Sequence, residues 1–361
     1  MPSLASCSAP NPQSLVPQSA RTEVRRARGL GPIVKPKVPG EILGFDIDQH
    51  GNDGFFANYQ SQRSGDTYSV ETFDQRTGKI TKVVVKGANR SFSAYAILAR
   101  DVGVLNDDGA YKLMNPVKRG NINGLWTPPM AFLLQQIAEN QATKKQLMFG
   151  YDASKPSQPT TLIAADVLRG TSKVIPLDQG AFGTGDVPVI AQDPATNQGV
   201  IAGDNGAPNT HPSIGIVDLK SGKTTTSTGL GYGLVNGIAV DPKAGVACMT
   251  TEIDAGVEFF DLKTRTGFEV QLPNSGGSQI RSGSGVAMDP VHGLCLIAQP
   301  VSGSGTQASA IWVADEKGNF LEEITGFNFW FGIGPVINPA RRTGFVLNPR
   351  PSYLTLTGFS Y

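Results

Sequence analysis

The chain has 361 residues, with 31 Lys plus Arg against 30 Asp plus Glu, so its net charge at neutral pH is close to zero. This balance excludes a strong overall field that would attract nucleic acid or an anionic membrane surface. No run approaches the roughly 20 consecutive apolar residues of a membrane-spanning helix, and the 43 Gly and 25 Pro are typical of a turn-rich all-β chain. We therefore predict no nucleic-acid partner and no membrane-spanning segment.

The N-terminal residues 1–29 differ in composition from the rest of the chain. They contain scattered Pro, Ser and Arg without hydrophobic periodicity, which predicts a disordered tail before a single domain at 30–361. Leu4-Ala5-Ser6-Cys7 resembles the lipobox of bacterial lipoproteins, so a missing upstream apolar segment would make the protein secreted or lipid-anchored. The alternative is an unstructured tail. Residues 30–39 carry three prolines around apolar residues, a composition that only an edge strand tolerates.

A strand–turn–strand unit recurs along the rest of the chain. It is clearest at residues 235–250, where an alternating apolar run ends in Asp241-Pro242, Gly245 follows, and a second apolar run begins. Successive units in the C-terminal half are 48, 48 and 49 residues apart, a period typical of propeller blades. We call the Asp or Asn that ends the first strand of each unit the anchor; the seven anchors are Asp48, Asp101, Asn140, Asp193, Asp241, Asp289 and Asn338.

A second landmark is an Asp that ends a later strand and precedes a Gly-containing turn. It occurs 25 or 26 residues after four of the anchors and 20 residues after Asp241; these residues are Asp74, Asp166, Asp218, Asp261 and Asp315. Each repeat therefore supplies about four short strands. Such a sheet cannot bury both faces alone, so we predict a seven-bladed β-propeller of four-stranded antiparallel blades. A β-sandwich or a β-solenoid fits this period less well.

Three segments test this interpretation. The second repeat, 91–123, is the shortest, and residues 129–139 could form a helix, although the repeat register favours a strand. The last repeat supplies strands only near 335–338, 344–347 and 353–359, so a strand from residues 30–39 is expected to complete this blade and close the ring. Cys248 and Cys295 lie on second strands of neighbouring repeats with opposite alternation, which predicts buried free thiols.

The repeat phrase resembles that of seven-bladed propellers of the YVTN and lactonase-like group, as at residues 214–222 and 237–242. A narrower resemblance is to SMP-30/gluconolactonase propellers, whose metal-binding Glu and Asn correspond to Glu41 and Asn236. The match departs from that family where Ile42-Leu43 replaces Gly-Pro and where Ser284 replaces an Asp that is a metal ligand. We therefore predict no bound metal and no cofactor.

Propeller topology places the loops between second and third strands on the same rim as the starts of the first strands. The first-strand positions on this rim are mainly apolar: Leu43, Ala96, Gln135, Pro188, Asn236, Ser284 and Ile333. This composition predicts that a small, largely apolar organic ligand binds in the central funnel. We also expect a monomer. The predicted catalytic residues are Glu41, Asn236 and Ser284, and the predicted ligand-binding residues are Tyr59, Asp204, His211 and Glu252.

Three functions remain open from the sequence. The first is a small-molecule enzyme or binder related to lactonases and ester hydrolases, and the second is a metal-free cyclase or isomerase in metabolite biosynthesis. The third is a non-enzymatic interaction scaffold, because one propeller fold serves many functions. A deep funnel would favour the first two, and a filled channel with a flat rim would favour the third.

Overall fold

The structure is a computed structural model. It describes residues 24–27, 29–37, 40–49, 51–60, 67–88, 92–99, 102–107, 110–114, 129–130, 132–140, 143, 145–155, 160–166, 169–177, 188–203, 211–230, 235–251, 256–273, 285–300, 309–328, 334–350 and 353–361. Within these ranges every helix or strand element is a β-strand. The chain is all-β, as the alternating apolar runs predicted.

Two short strands precede the repeats, β1 (Arg25–Ala27) and β2 (Leu30–Val34). The first four-stranded blade, blade A, consists of β3 (Glu41–Ile47), β4 (Asp53–Gln60), β5 (Thr67–Asp74) and β6 (Ile80–Ala88). A three-stranded sheet follows, with β7 (Phe92–Ala99), β8 (Val102–Asp107) and β9 (Ala110–Met114). In these sheets each strand pairs antiparallel with the next strand along the chain.

The next three blades are regular. Blade B consists of β10 (Phe132–Asn140), β11 (Lys145–Asp152), β12 (Thr160–Asp166) and β13 (Thr171–Pro176). Blade C consists of β14 (Val189–Asp193), β15 (Gln198–Gly203), β16 (Ser213–Asp218) and β17 (Thr224–Thr228). Blade D consists of β18 (Val235–Asp241), β19 (Val246–Thr251), β20 (Gly256–Asp261) and β21 (Thr266–Gln271).

The last two blades each take up a strand from the N-terminal segment. Blade E consists of β22 (Gly285–Asp289), β23 (Leu294–Gln299), β24 (Ser309–Asp315) and β25 (Phe320–Phe327), with β1 added in parallel to β25. Blade F consists of β26 (Val336–Asn338), β27 (Thr343–Arg350) and β28 (Tyr353–Ser360), with β2 as its outermost strand. The antiparallel pairing of β2 with β28 is the ring closure that the prolines and the missing last strand predicted.

The first strands of successive sheets contact one another in a closed circuit that runs from β3 through β7, β10, β14, β18, β22 and β26 back to β3. We call the end at which these inner strands begin the upper rim, and the end with the anchors the lower rim. Packing lies mainly between blades, where one apolar cluster joins Phe45 and Phe73 of blade A to Phe345 of blade F. The propeller prediction is thus confirmed.

Two details of the sequence interpretation need correction. Among the described residues there are six four-stranded blades, not the seven predicted, because the short second repeat supplies only the three strands β7 to β9. Strand β1 lies within the tail that was predicted to be disordered, whereas residues 1–23 lie outside the described residues. The strand interpretation of residues 129–139 is confirmed over Phe132–Asn140.

The cysteine prediction is wrong. Cys248 of blade D and Cys295 of blade E form a disulfide, with their Cα atoms 6.7 Å apart, and both residues are fully buried. The alternation argument placed the two thiols on opposite blade faces. In a propeller, however, one face of a blade packs on the opposite face of the next blade, so this arrangement brings the thiols together.

Candidate functional site

The predicted upper-rim residues start two inner strands in similar surroundings. Glu41 is exposed at the start of β3 and lies directly opposite the half-buried Tyr59 of β4. Asn236 is half-buried at the start of β18. Both strands have a register irregularity at this point, between Ile42 and Gly44 and between Val235 and Gly237. The structure therefore brings Glu41 and Tyr59 together and places Asn236 at the equivalent point of blade D.

The structure describes only one of the other predicted site residues. Asp204, Glu252 and Ser284 lie outside the described residues. His211 is half-buried, and its Nδ1 atom lies 2.9 Å from the carbonyl oxygen of Leu230. His211 thus contacts the crossover that leads from blade C to blade D.

Two buried glutamates were missed by the sequence analysis. Glu71 and Glu258 each lie three residues before the Asp that ends a third strand, and each is at most 2% exposed. Glu71 accepts a hydrogen bond of 3.0 Å from the backbone N–H of Lys37. Glu258 accepts one of 2.9 Å from the backbone N–H of Leu230. Both carboxylates therefore hold a crossover that enters their blade at the upper rim.

Burial of the Glu71 carboxyl disfavours its charged form, and the hydrogen bonds around it oppose this effect. Burial raises the pKa of its carboxyl above the ordinary value, while the Lys37 N–H and the Asn58 amide oppose the shift by hydrogen bonding to the charged form. A Glu at the same offset in two apolar strands was a sequence signal for this position. The role of this Glu depends on which crossover lies beside it in the folded protein, and the sequence spacing alone does not give that neighbour.

The anchors form a belt of buried polar side chains at the lower rim. Asp193, Asp241 and Asp289 are at most 1% exposed. The Oδ1 atom of each accepts hydrogen bonds from the two backbone N–H groups that lie two and three residues later. These contacts close the turn between first and second strands, as their assignment to repeat turns predicted.

At some interfaces the second polar atom of the anchor contacts the next blade. We call the residue that follows a third strand the key, because at three interfaces it meets the anchor of the preceding blade. The Asn338 amide donates to Gln75 at 3.4 Å, and the Tyr361 hydroxyl donates to Asp289 at 3.0 Å. At the interface of blades D and E, burial and the neighbouring Asp241 carboxylate raise the pKa of the key Glu316 to about 7.

The described residues contain no group of three or more His, Cys, Asp or Glu side chains arranged to hold a metal ion. They also contain no helix of the length and apolar character that crossing a bilayer requires. The acidic groups that are buried in the described part of the chain act on turns, crossovers and blade interfaces.

No protein-family model matches the chain. No curated protein matches its sequence. Among solved structures, the fold matches a chain of one described as "Crystal Structure of Mitotic Checkpoint Complex", with a TM-score of 0.65, 12% sequence identity, and coverage of 100% of this chain and 99% of that chain. At this identity the likeness shows the fold, so the chain is a β-propeller protein; membership of the YVTN or SMP-30 groups is not confirmed.

Proposed function

We propose that the protein is a rigid propeller scaffold that binds a protein partner through its upper rim. One observation carries this proposal: the buried Glu71 and Glu258 bind the backbone of two crossovers at this rim. Backbone hydrogen bonds to a buried charge are strong and short, so they give the rim loops a firm base. Variable loops on a rigid framework are the usual arrangement for recognition.

The structural likeness supports the same proposal. The matching chain belongs to a structure described as a mitotic checkpoint complex, that is, an assembly. A comparable use of this propeller would need no catalytic group, because binding comes from the shape and polarity of the rim. The exposed Glu41 and the half-buried Tyr59 would then be contact residues for the partner.

A small-molecule enzyme or binder is the second candidate. It is favoured by Glu41 and Asn236, which begin inner strands at matched irregularities on one rim. In this alternative, Glu41, Asn236 and Ser284 act on a small, largely apolar ligand, and Tyr59, Asp204, His211 and Glu252 bind it. A lactonase-like hydrolase and a metal-free cyclase would use this arrangement differently, since the hydrolase must also activate water.

Three further points of organisation belong to the proposal. The sheet β7 to β9 takes a seventh position in the ring between blades A and B, because β7 contacts both β3 and β10. Residues 30–361 act as one domain, to which the preceding segment 1–29 adds strand β1. The protein works in an oxidising compartment, since disulfides such as Cys248–Cys295 persist there and are rare in the cytosol.

Two measurements separate the two candidate functions. Purified wild type, Glu41→Ala and Asn236→Ala are assayed with a panel of lactones and aryl esters. The same proteins, together with Tyr59→Ala, are used to capture partners by cross-linking in the native source. The matched control is Lys317→Ala, an exposed lower-rim residue.

Under the scaffold proposal, either no lactone or ester is hydrolysed, or Asn236→Ala leaves the hydrolysis unchanged. It also expects a captured protein that is lost with Tyr59→Ala and Glu41→Ala but retained by Lys317→Ala. Turnover of a lactone or ester that Asn236→Ala abolishes, in a protein that remains folded, would decide for the second candidate.

A further inference from the structure

A cleft of about 430 Å³ lies between blades B and C near the lower rim. Its walls include the anchors Asn140 and Asp193, the key Leu219, and three lysines, Lys145, Lys173 and Lys220. It is remote from the upper-rim residues proposed above for partner binding, so its function is independent of that proposal.

At the interface that contains this cleft, the key position is apolar. At the three interfaces described above, this position is Gln75, Glu316 or Tyr361 and meets the preceding anchor. In blade C it is Leu219, which packs against the apolar cluster of blades B and C. A leucine side chain cannot accept a hydrogen bond from an anchor.

The anchor at this interface consequently has an unused donor. Asn140 is 8% exposed, and its Oδ1 atom accepts a hydrogen bond of 3.0 Å from the Thr143 N–H. Its Nδ2 atom is shielded from solvent and has no hydrogen-bond partner among the described residues. A buried amide of this kind is costly unless another group satisfies it.

The charges around the cleft identify the ligand class. Two carboxylates also line it, but Asp166 forms an ion pair of 3.7 Å with Arg169, and Asp193 accepts hydrogen bonds from Thr196 and Ala195. Lys173 donates a hydrogen bond to the carbonyl of Lys220. Ammonium and amide N–H groups only donate, so their complement is a group that only accepts, a carboxylate or a phosphate.

We propose that this cleft is a binding site for a small organic anion, with its acid group held by Asn140, Lys145 and Lys173. The apolar body of the ligand packs on Leu219 and Pro194, which line the same cleft. This division of roles is the usual one for a small-molecule pocket. The ligand completes at this interface the hydrogen bond that a key side chain supplies at others.

The test is calorimetric titration of the full chain with citrate and with glucose 6-phosphate, in a buffer free of both carboxylate and phosphate. Asn140→Asp is the central variant, because Asp occupies the anchor position in blades C, D and E and retains the turn contact. It replaces the donor by a negative charge and should weaken binding about ten- to hundredfold. Lys145→Gln should also weaken binding, whereas the exposed Lys263→Ala in blade D should leave it unchanged.

Binding of citrate alone would identify a polycarboxylate site, and binding of glucose 6-phosphate alone a phosphate ester site. The proposal is overturned if neither compound binds at millimolar concentration. It is equally overturned if Asn140→Asp and Lys145→Gln both bind with wild-type affinity, since the anion would then lie elsewhere.

Discussion

The interfaces between blades D and E and between blades B and C are built on one plan but differ in packing. At D and E, the Cys248–Cys295 disulfide joins the second strands, and Glu316 lies beside the anchor Asp241. The inner strands also approach so closely there that a Cβ atom on Gly237 would lie 2.7 Å from the Cα atom of Gly285. At B and C, an open cleft of about 430 Å³ remains at the corresponding place.

This contrast shows how little sequence change separates a sealed interface from an open one. The backbone framework is shared by blades A, C, D and F, because the key residue of each donates its N–H to the turn between first and second strands, as in Leu219 to Asn197 and Leu262 to Gly245. The side chain at the key position differs: Gln75 accepts a hydrogen bond from the preceding anchor Asn338, whereas Leu219 packs in an apolar cluster. The most useful experiments alter one interface and leave the framework intact.

The largest effect is expected from opening the whole ring. Deletion of residues 1–40 removes β1, β2 and the Lys37 contact with Glu71. Burial of Val34 alone contributes about 1.5–3 kcal/mol, so the loss in the free energy of unfolding should exceed that amount. Urea denaturation measures it. Deletion of 1–23 is the control. Equal urea midpoints for the two truncations would show that the pairing of β1 and β2 with blades E and F does not hold the ring together.

Removal of the disulfide tests the sealed interface itself. The double substitution of Cys248→Ala and Cys295→Ala should lower the free energy of unfolding by about 2–4 kcal/mol, because the cross-link restricts the unfolded chain. Denaturant titration gives this value, and Cys7→Ala serves as the control. A thiol assay on unfolded, unreduced protein should detect one of the three cysteines; three reactive thiols would contradict the interface described here.

The Glu316 position makes the sealed interface dependent on pH. Because its pKa is raised to about 7, the contribution of Glu316 to stability is fully present below its ordinary value near 4.5 and is lost as the pH rises through 7. The surrounding charges are Asp241, Lys243 and Asp315. Glu316→Gln should therefore stabilise the protein at about pH 8, by on the order of 1 kcal/mol after allowance for solvent screening.

Urea midpoints of this variant at about pH 5 and pH 8 test the sign of the effect. Most of the gain should vanish at the lower pH, where wild-type Glu316 is protonated. Glu322→Gln, on β25 of the same blade, is the matched control. A gain of equal size at both pH values would mean that proton binding by Glu316 is not its cause.

The smallest effect on stability is expected from converting the open interface to the sealed type. Leu219→Gln places at the cleft the residue type that Gln75 provides for Asn338. A new hydrogen bond of about 0.5–1.5 kcal/mol offsets the lost packing of Leu219, so the free energy of unfolding should change by less than about 1 kcal/mol. Binding of the anion should nevertheless fall, as measured by calorimetry.

Leu262→Gln is the control for that substitution. Leu262 is 7% exposed, and the preceding anchor Asp193 already receives a hydrogen bond of 2.6 Å from its own Thr196. The Leu262 variant should therefore lose the apolar contribution without compensation and be less stable than the Leu219 variant. The reverse order would show that the key position does not control the anchors.

The sequence by itself determined the features that depend on local periodicity. Alternating apolar runs end at Asp193, Asp241 and Asp289, and the turn residues that follow place the strands almost where the structure has them. The prolines near residue 32 and the missing last strand determined how the ring closes. Even the strand at Phe132–Asn140 followed from the register, because neighbouring repeats restrict what a blade can contain.

Only the tertiary structure decided what lies between the blades. The pairing of Cys248 with Cys295, the crossover contacts of Glu71 and Glu258, and the cleft beside Asn140 all join residues of different repeats or distant segments. Strand alternation specifies on which face of its own blade a side chain lies. It does not specify what the neighbouring blade presents there, because that depends on how the blades are rotated and stacked around the axis.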